Sequence, residues 1–299
     1  MYLMGIDGGG SSIRVVIITP DTNVLAEYLG PAVNPSAVGR DEAARRIQAA
    51  MRESIQQAQL APDQIAAVGI GIAGASNRYE WAVEWLRRLA GQVTPQARII
   101  PSSDYEIALV GAHGQRFGIL LLAGTGSLAY GVNAAGESAL IGGWGYLLGD
   151  EGSGYWFGSQ ALRAIARMAD GRGRRTALYD AVMTALNFST PLDLIPFLYG
   201  SAPRVADVAR LAPLVLECAA QGDSMARGLV ETGALELALA VRAVAHRLDM
   251  HGLAPMFAGS LLTTPNPLSN LLCSLLDMDG IPTPRYSPAI GAALLALEA

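Results

Sequence analysis

Two parts of the sequence repeat one order of elements: an apolar run, a glycine-rich turn, a second apolar run, another turn and a third apolar run. The glycine-rich turns are residues 8–11 in the first copy and 124–127 in the second. In each half, a later apolar run ends in a turn of small residues, at 74–76 and at 259–260. This repeat predicts a duplicated α/β domain, with both glycine hairpins directed into a cleft between the copies.

The first turn has the composition of a phosphate site. Gly8, Gly9 and Gly10 have no Cβ, so they can adopt positive φ and bring backbone N–H groups close to a ligand. Successive N–H groups in such a turn form a nest that binds anions. Asp7 ends the preceding strand, where it can hold a cation, and Ser11 adds a hydroxyl. The combination suits Mg²⁺-bound phosphate, but an ordinary glycine hairpin would carry the same three glycines.

The chain has no lysine, and this absence restricts the possible phosphate sites. All 21 basic residues are arginine, which excludes a Walker A loop, the protein-kinase strand lysine and a Schiff-base lysine. A phosphate site must therefore use backbone amides, hydroxyls, Mg²⁺ and arginine. The formal net charge of −5 argues against nucleic acid or an anionic membrane as a partner.

Length and patterning indicate a globular chain of one or two domains. With 299 residues there is room for two domains of about 150 residues each. No uncharged apolar run reaches the roughly 18 residues of a membrane span, and no signal peptide is evident, so we expect a cytoplasmic protein. Cys218 and Cys273 are predicted to be buried free thiols, and the three histidines lack metal-ligand spacing.

We predict a first domain over residues 1–117 and a second over residues 118–287, with a helical insertion at about 155–250 in the second. The predicted strands of the first domain are 2–6, 13–19, 24–28, 65–72 and 98–100, and its helices are 41–58 and 80–89. In the insertion, apolar residues recur at helical steps and predict a core face at Val230, Ala234, Leu237, Val241, Val244 and Leu248. Residues 288–299 are predicted to form a helix that packs back on the first domain.

Asp104 is the best candidate for a general base. It follows a short predicted strand and lies in the first turn of a helix that opens with capping-box spacing at Ser103 and Glu106. The positive end of the helix dipole favours the ionised carboxylate. Phosphoryl transfer requires a carboxylate that takes the proton of the acceptor hydroxyl. The alternative is that Asp104 only complements the helix dipole.

Residues 142–158 contain seven glycines, more than the end of a hairpin requires. Asp150 and Glu151 stand beside Trp144 and Trp156, a combination typical of a sugar site, because carboxylates accept hydroxyl hydrogen bonds and indole covers an apolar ring face. The alternative is a long connection to the next helix, with Glu151 near its N-cap. Asn34 is interpreted either as a turn residue or as a polar ligand.

These motifs together resemble a known family. They are Gly-Ile-Asp-Gly-Gly-Gly-Ser from Gly5, the pair Ser103-Asp104, Gly-Thr-Gly-Ser from Gly124, the glycine-rich run with its two tryptophans, and Ala-Gly-Ser at the second small-residue turn. Across the whole chain they resemble the BadF/BadG/BcrA/BcrD ATPase family of the sugar kinase/actin/Hsp70 superfamily, with the closest likeness to its N-acetylglucosamine kinases. The resemblance implies two ribonuclease-H-like (actin-like ATPase) domains that close on ATP, Mg²⁺ and a hexosamine, and a homodimer.

The resemblance also implies a role for individual residues. Asp104 is implied to be the catalytic base for the sugar 6-hydroxyl, and Asp7 to direct Mg²⁺ at the ATP site. The residues implied to contact ATP are Gly8, Gly9, Gly10, Ser11, Gly124, Thr125, Gly126, Gly259 and Ser260. The residues implied to contact the sugar, beside Asp104, are Asn34, Trp144, Gly145 and Asp150.

The chain departs from the family pattern at two positions. Ser12 stands where relatives often carry Lys or Arg, which removes one expected phosphate cation, and Gly259 is single where Gly-Gly is usual. The family also contains iron–sulfur activators with two cysteines per subunit, but Cys218 and Cys273 lie far apart on predicted helices. The acceptor stays open between N-acetylglucosamine and glucosamine, and a non-catalytic sugar or nucleotide sensor is the alternative from another class.

Overall fold

The contacts of the chain divide it into two compact units. A computed structural model describes residues 1–76, 78–200 and 205–298. The first unit comprises Met1–Gly118, Ala134–Gly136 and Thr283–Ala299, and the second comprises Ile119–Asn133 and Glu137–Pro282. The short turn at Ala134–Gly136 is grouped with the first unit, although the strands that flank it belong to the second.

The first unit is built on a five-stranded sheet in the order β3-β2-β1-β4-β5. The strands are β1 (Tyr2–Gly8), β2 (Ser12–Ile18), β3 (Val24–Pro31), β4 (Ile65–Ile72) and β5 (Arg98–Ser102). β1, β2 and β3 are antiparallel neighbours, whereas β4 runs parallel to β1 and β5 runs parallel to β4. All five predicted strands are confirmed, and β4 is buried along nearly its whole length, as its continuous apolar run predicts.

Helices cover both faces of this sheet. They are α1 (Pro35–Val38), α2 (Arg40–Gln57), α3 (Glu80–Gly91), α4 (Asp104–His113) and α12 (Pro288–Glu298), with a 3₁₀ turn at Pro62–Gln64. Apolar side chains of α2 and α3 share one core with residues such as Met4 and Ile6 of β1. On the opposite face, alanines of α12 pack on Leu3, Val16 and Ala67.

Helix α12 lies in direct contact with the backbone of the sheet. A Cβ at Gly5 or at Gly69 would stand 1.8 Å from a carbonyl oxygen of α12, that of Ala289 or of Ala292. Glycine on β1 and β4 therefore lets the last helix lie directly on this face of the sheet. The predicted final helix is confirmed in the first unit, while Ala299 lies outside the described residues.

The second unit repeats the strand order of the first. Its strands are β6 (Gly118–Ala123), β7 (Ser127–Val132), β8 (Ser138–Gly142) and β9 (Met256–Ala258), in the order β8-β7-β6-β9. β9 runs parallel to β6, and β7 is antiparallel to β8. This order matches β3-β2-β1-β4, so the predicted α/β duplication is confirmed.

The predicted insertion is helical in the described residues between β8 and β9. Its helices are α5 (Gly154–Ala169), α6 (Leu178–Leu186), α7 (Leu194–Leu198), α8 (Val205–Ala209), α9 (Ala212–Ala220) and α10 (Ser224–Arg247), and α11 (Pro267–Leu275) follows β9. A 3₁₀ turn at Pro191–Asp193 precedes α7. The six apolar residues predicted to form a core face, most of them on α10, are all buried.

Two further predictions concern cysteines and membrane spans. Cys218 on α9 and Cys273 on α11 are buried free thiols, as predicted. In the described part of the chain, no single helix has the length and apolar character to cross a membrane. One bent helix pair, Leu178–Leu186 with Pro191–Leu198, meets those criteria by length and composition alone.

Candidate active site

In the first unit, two predicted carboxylates lie at the same edge of the sheet. Asp7 is the penultimate residue of β1, and Asp104 is the first residue of α4, just after the end of β5. Asp7 pairs with Gly71 on β4, and Gly71 pairs with Ser102 on β5. Because neighbouring strands lie about 4.8 Å apart, this register places both carboxylates at the carboxyl ends of parallel strands.

Gly71 lets the start of α4 approach the sheet. A Cβ at this position would stand 2.8 Å from the Ser103 carbonyl oxygen and 2.7 Å from Cδ1 of Ile107. Because β4 has no side chain here, the first turn of α4 lies over the strand and Asp104 comes close to Asp7. Gly71 was not predicted as a site residue, although a glycine inside an apolar strand marks close approach of another backbone.

The environment of the two carboxylates perturbs their titration. Burial, together with the charge of Asp104, raises the pKa of Asp7 from 3.8 to about 6, although Arg14 lowers it. Burial also raises the pKa of Asp104, against the backbone amides of Asp104 and Tyr105, which favour the ionised form. Carboxylates whose pKa is raised by burial and by a neighbouring like charge are typical of functional sites.

Arg14 supplies positive charge beside Asp7. The two residues are directly opposite each other in the β1–β2 ladder. The Arg14 guanidinium also pairs with Glu27 at 3.1 Å on the next strand. Position 12, where a basic side chain was expected, is serine, but the Arg14 side chain supplies a positive charge two residues later. Arg14 was not predicted as a site residue, although a hairpin centred on the glycine turn pairs position 7 with position 14.

The first glycine turn differs from its predicted geometry. None of Gly8, Gly9 and Gly10 has a positive φ, so that expectation was wrong. The Gly9 N–H donates to the Ser12 carbonyl at 2.9 Å and closes an ordinary hairpin. A Cβ at Gly8 would stand 2.4 Å from a β4 side chain, whereas one at Gly10 would meet nothing within 4 Å. Gly8 is therefore packed against side chains, while Gly10 and Ser11 form an exposed tip that a ligand can reach.

Asn34 is a capping residue beside this turn. Its Oδ1 accepts the Ser36 N–H at 2.9 Å and caps α1. Its own N–H donates to the Gly9 carbonyl at 3.2 Å. A Cβ at Gly74 would stand 2.6 Å from Asn34 Oδ1. Asn34 thus lies beside the glycine-rich turn 8–11 and the small-residue turn 74–76. Its interpretation as a turn residue is confirmed, and its contact with sugar stays a prediction.

In the second unit, the predicted phosphate turn is fixed against α5. The Gly124 N–H donates to the Gly126 carbonyl at 2.9 Å. The N–H groups of Gly154 and Tyr155 donate to the carbonyls of Gly124 and Thr125 at 2.7 and 3.2 Å. Thr125 is exposed at the tip of the turn. The start of α5 therefore fixes the backbone of the turn, and the Thr125 side chain stays exposed to solvent.

Asp150 lies beneath the same turn. It is 8% exposed and has a left-handed backbone, with φ of 58°. A Cβ at Gly126 would stand 2.8 Å from Asp150 Oδ2, so this glycine makes room for the carboxylate. Burial raises the pKa of Asp150, while the backbone amides of Ser127 and Gly145 favour its ionised form. Asp150 thus connects the phosphate turn to the glycine-rich run, and its contact with sugar stays a prediction.

The two tryptophans of the glycine-rich run have different surroundings. Trp144 is 75% exposed, and Leu147 and Leu148 are also exposed. Gly145, next to Trp144, has φ of 86°, which glycine adopts without strain. Trp156 lies on α5 and packs edge-on against Phe157, with ring centroids 5.1 Å apart. Trp144 is therefore the more exposed of the two tryptophans, and its contact with sugar stays a prediction.

The turn after β9 adjoins the phosphate turn. Gly259 has φ of 87°, and a Cβ there would stand 2.2 Å from the Ala123 carbonyl oxygen. Ser260 follows and is exposed. Because Ala123 precedes Gly124, the structure brings the two predicted nucleotide turns of the second unit together.

The first unit has carboxylates that suit Mg²⁺ but no complete set of protein ligands for a metal ion among the described residues. Among the described residues, no group of three or more His, Cys, Asp or Glu side chains converges as a metal site. Mg²⁺ is usually held by one or two carboxylates together with waters and substrate phosphates. Asp7 beside Asp104 fits that pattern, because a cation would relieve the repulsion between the two carboxylates.

Comparison with known proteins supports the resemblance seen in the motifs. Residues 4–296 match the sequence profile of the BadF/BadG/BcrA/BcrD ATPase family. An N-acetylmuramic acid/N-acetylglucosamine kinase of Clostridium acetobutylicum is 32% identical, over 99% of this chain and 98% of that protein. An N-acetyl-D-glucosamine kinase of Dictyostelium discoideum is 29% identical, over 99% and 97% of the two chains. A solved Chromobacterium violaceum structure, provisionally assigned as an N-acetylglucosamine kinase, is 31% identical with a TM-score of 0.77, over 99% and 98%.

Proposed function

Because the chain belongs to the BadF/BadG/BcrA/BcrD ATPase family, we propose that it is an ATP-dependent kinase that phosphorylates the 6-hydroxyl of N-acetylglucosamine. The observation that carries this proposal is the approach of Asp7 and Asp104 at one edge of the first sheet, where burial raises the pKa of both. The relatives named above are kinases of N-acetylated sugars, which supports the same acceptor class.

Asp104 is the proposed catalytic base. As the sugar O6 forms its bond to the γ-phosphorus, the Asp104 carboxylate takes the hydroxyl proton. The bond between the γ-phosphorus and the bridging oxygen breaks, and ADP leaves with the electron pair. A raised pKa makes the ionised carboxylate a stronger base, so burial of Asp104 favours this proton transfer.

Each unit carries residues that we propose to contact ATP. In the first unit, Asp7 would hold Mg²⁺, which when bound neutralises charge that develops on the phosphates. The exposed tip at Gly10 and Ser11 offers a backbone amide and a hydroxyl, and Arg14 adds positive charge nearby. In the second unit, the turn 124–126 would contact the phosphates, and Gly259 with Ser260 would contact adenosine.

The proposed sugar contacts are Asn34, Trp144, Gly145 and Asp150, together with Asp104. The exposed Trp144 indole suits the apolar face of a sugar ring. An acetamido group needs apolar contact and amide partners, whereas the ammonium of glucosamine needs a carboxylate. Glucosamine is therefore the alternative acceptor, and a non-catalytic sensor is the alternative outside enzymes.

A coupled ADP-release assay tests the proposal. ADP release is measured with Mg²⁺-ATP and N-acetylglucosamine, N-acetylmuramic acid, glucosamine or glucose, and with EDTA as the metal-free control. We expect the highest kcat/KM with N-acetylglucosamine and a product phosphorylated at O6 by NMR. The highest kcat/KM with glucosamine would replace the acceptor, and no ADP release with any hexose would favour the sensor.

We also propose a cytoplasmic homodimer. Two buried free cysteines suit a reducing compartment. Leu235 and Leu239 are 50% and 55% exposed one turn apart on α10, which offers an apolar patch for self-association. Light scattering coupled to size-exclusion chromatography tests the dimer, with Leu239→Ser expected to weaken it.

A further inference from the structure

Glu106 is a buried carboxylate in the same helical turn as Asp104. Glu106 is only 5% exposed. Oε2 accepts a hydrogen bond from the Ser102 hydroxyl at 2.8 Å, and Oε1 accepts from Nε and Nη2 of Arg116, each at 2.9 Å. Burying a charged group is costly unless partners of this kind satisfy it. The fold therefore maintains a polar network where apolar packing would be simpler.

Capping of α4 does not explain this network. The Ser103 hydroxyl already accepts the Glu106 N–H at 3.2 Å, and Asp104 places a negative charge in the first turn. In a capping box the Glu106 carboxylate would accept a hydrogen bond from the backbone N–H of Ser103. Here it accepts instead from Ser102 on the preceding strand and from Arg116 in the connection that follows α4. The carboxylate thus ties the helix to its neighbours.

The network brackets Asp104 on both sides. Ser102 is the last residue of β5, and Arg116 lies in the connection between α4 and β6. The contact between Ser102 and Glu106 closes a ring around the backbone that carries Asp104. A displacement of about 1 Å at a reacting group can lower a rate about 100-fold. Restraint of this backbone therefore bears on the position of the Asp104 carboxylate.

Arg116 anchors the network to a second point of the first unit. Its side chain is 36% exposed, so the guanidinium is partly in solvent while it pairs with the buried carboxylate. A Cβ at Gly136 would stand 3.8 Å from Nη1 of Arg116, which places the guanidinium near the turn at Ala134–Gly136. Glu106 is thereby held by partners on two segments, β5 and the connection after α4.

We propose that Glu106, held by Ser102 and Arg116, is a positioning residue that orients the Asp104 carboxylate toward the acceptor hydroxyl. The inference rests on the proposed kinase function. A positioning residue acts on the transition state and leaves nucleotide binding intact, so the network should control kcat and not KM for ATP.

The experiment compares Glu106→Gln, Ser102→Ala and the double variant with wild type. We expect kcat to fall about 10- to 100-fold in Glu106→Gln and less in Ser102→Ala, with KM for ATP within about twofold. Because both residues act through one hydrogen bond, the double variant should be about as slow as Glu106→Gln alone. The control is Asp170→Asn, which removes a carboxylate from an exposed pair with Arg172 at 2.6 Å and should match wild type.

Circular dichroism and thermal unfolding establish that each variant is folded at the assay temperature. Normal kcat in folded Glu106→Gln and Ser102→Ala would overturn the positioning role, and so would a loss carried mainly by KM for ATP. If Glu106→Gln does not fold, Ser102→Ala decides, because it loses only one hydroxyl. A wild type that is inactive with every hexose would contradict the proposed function instead.

Discussion

The two units hold their candidate site residues in different ways. In the first, Asp7 and Asp104 are side chains at the ends of a strand and a helix, and burial raises the pKa of each. In the second, backbone hydrogen bonds fix the turn 124–127, and Asp150 supports it from below in a left-handed conformation. Side-chain changes in the first unit should therefore remove chemistry with little loss of fold, whereas changes beneath the second turn should loosen its backbone.

The sharpest test of this contrast is Asp104→Asn. The amide keeps the shape of the side chain but cannot take the hydroxyl proton, so we expect kcat to fall by about 100-fold or more. Stability should be unchanged or higher, because the variant no longer buries a carboxylate whose pKa is raised. Steady-state kinetics with N-acetylglucosamine and thermal unfolding provide the two measurements.

Asp63→Asn is a suitable control for Asp104→Asn. Asp63 lies exposed in the 3₁₀ turn at Pro62–Gln64, away from the sheet edge that carries the two carboxylates. It should leave kcat and the unfolding temperature unchanged. Turnover of Asp104→Asn within about threefold of wild type would remove Asp104 from the role of base, since general-base catalysis contributes far more.

The second prediction concerns Gly71, which lets α4 approach the sheet. In Gly71→Ala the new methyl would meet the Ser103 carbonyl at 2.8 Å, so the start of α4 must shift. We expect a loss of about 1–3 kcal/mol in the free energy of unfolding from overpacking. We also expect kcat to fall about 10-fold, because Asp104 moves with the helix.

Gly91→Ala provides the matched glycine control. Gly91 ends α3, and a Cβ there would meet nothing within 4 Å. Because alanine favours helix by up to about 1 kcal/mol over glycine, this variant should be as stable as wild type or more so, with normal kcat. Equal behaviour of the two glycine variants would mean that the approach of α4 does not depend on Gly71.

Much of the fold could be predicted because the sequence repeats itself. The duplicated order of apolar runs and glycine turns predicted both sheets, and a continuous apolar run predicted buried β4. The short helices α1, α7 and α8 were not predicted, since four or five residues carry no helical period. Local pattern thus determines long elements, while short ones depend on the packing around them.

The site was harder to predict, because its geometry depends on contacts between distant segments. Asp104 became a candidate from its place in a capped first turn, which is local information, and the family resemblance favoured the role of base over that of a dipole partner. The approach of Asp104 to Asp7 depends on Gly71, and the burial of Glu106 depends on Arg116, both of which follow only from the packed fold. The positive φ expected at Gly8, Gly9 and Gly10 was wrong, because the hairpin turn closes without it.

The third prediction tests the support beneath the second turn. Asp150→Asn keeps a side chain that tolerates the left-handed backbone, but it puts an NH2 donor in place of one carboxylate oxygen, where the backbone amides of Ser127 and Gly145 need acceptors. We expect a loss of about 2 kcal/mol in the free energy of unfolding and weaker sugar binding by calorimetry. The control is Asp249→Asn, which has φ of 53° and a side chain 97% exposed, and should change neither quantity. Unchanged stability and affinity in Asp150→Asn would show that the turn does not need the carboxylate.

The fourth prediction concerns Asp7 and is the smallest effect. It is a gain in the free energy of unfolding, whereas the third prediction is a loss. The pKa of Asp7 is about 6 in the folded protein against 3.8 as the ordinary value. The folded chain therefore binds this proton more tightly, so Asp7 favours folding at low pH, and that contribution is lost as the pH rises through about 6. Above that pH, Asp7 is ionised in the folded protein, and its buried charge lowers the free energy of unfolding. Asparagine carries no charge and avoids this loss.

Asp7→Asn should accordingly unfold at a higher denaturant concentration than wild type at pH 7.5, in EDTA and without nucleotide. We expect a gain of about 1–2 kcal/mol, less than the full shift implies because Asp7 is partly exposed. Most of the gain should disappear near pH 4, where Asp7 of the folded wild type is already protonated. Mg²⁺-ATP should stabilise the wild type but not the variant, because the cation needs the carboxylate. An equal gain at both pH values would mean that the charge of Asp7 is not its source, and the raised pKa in the first unit would then have no effect on stability.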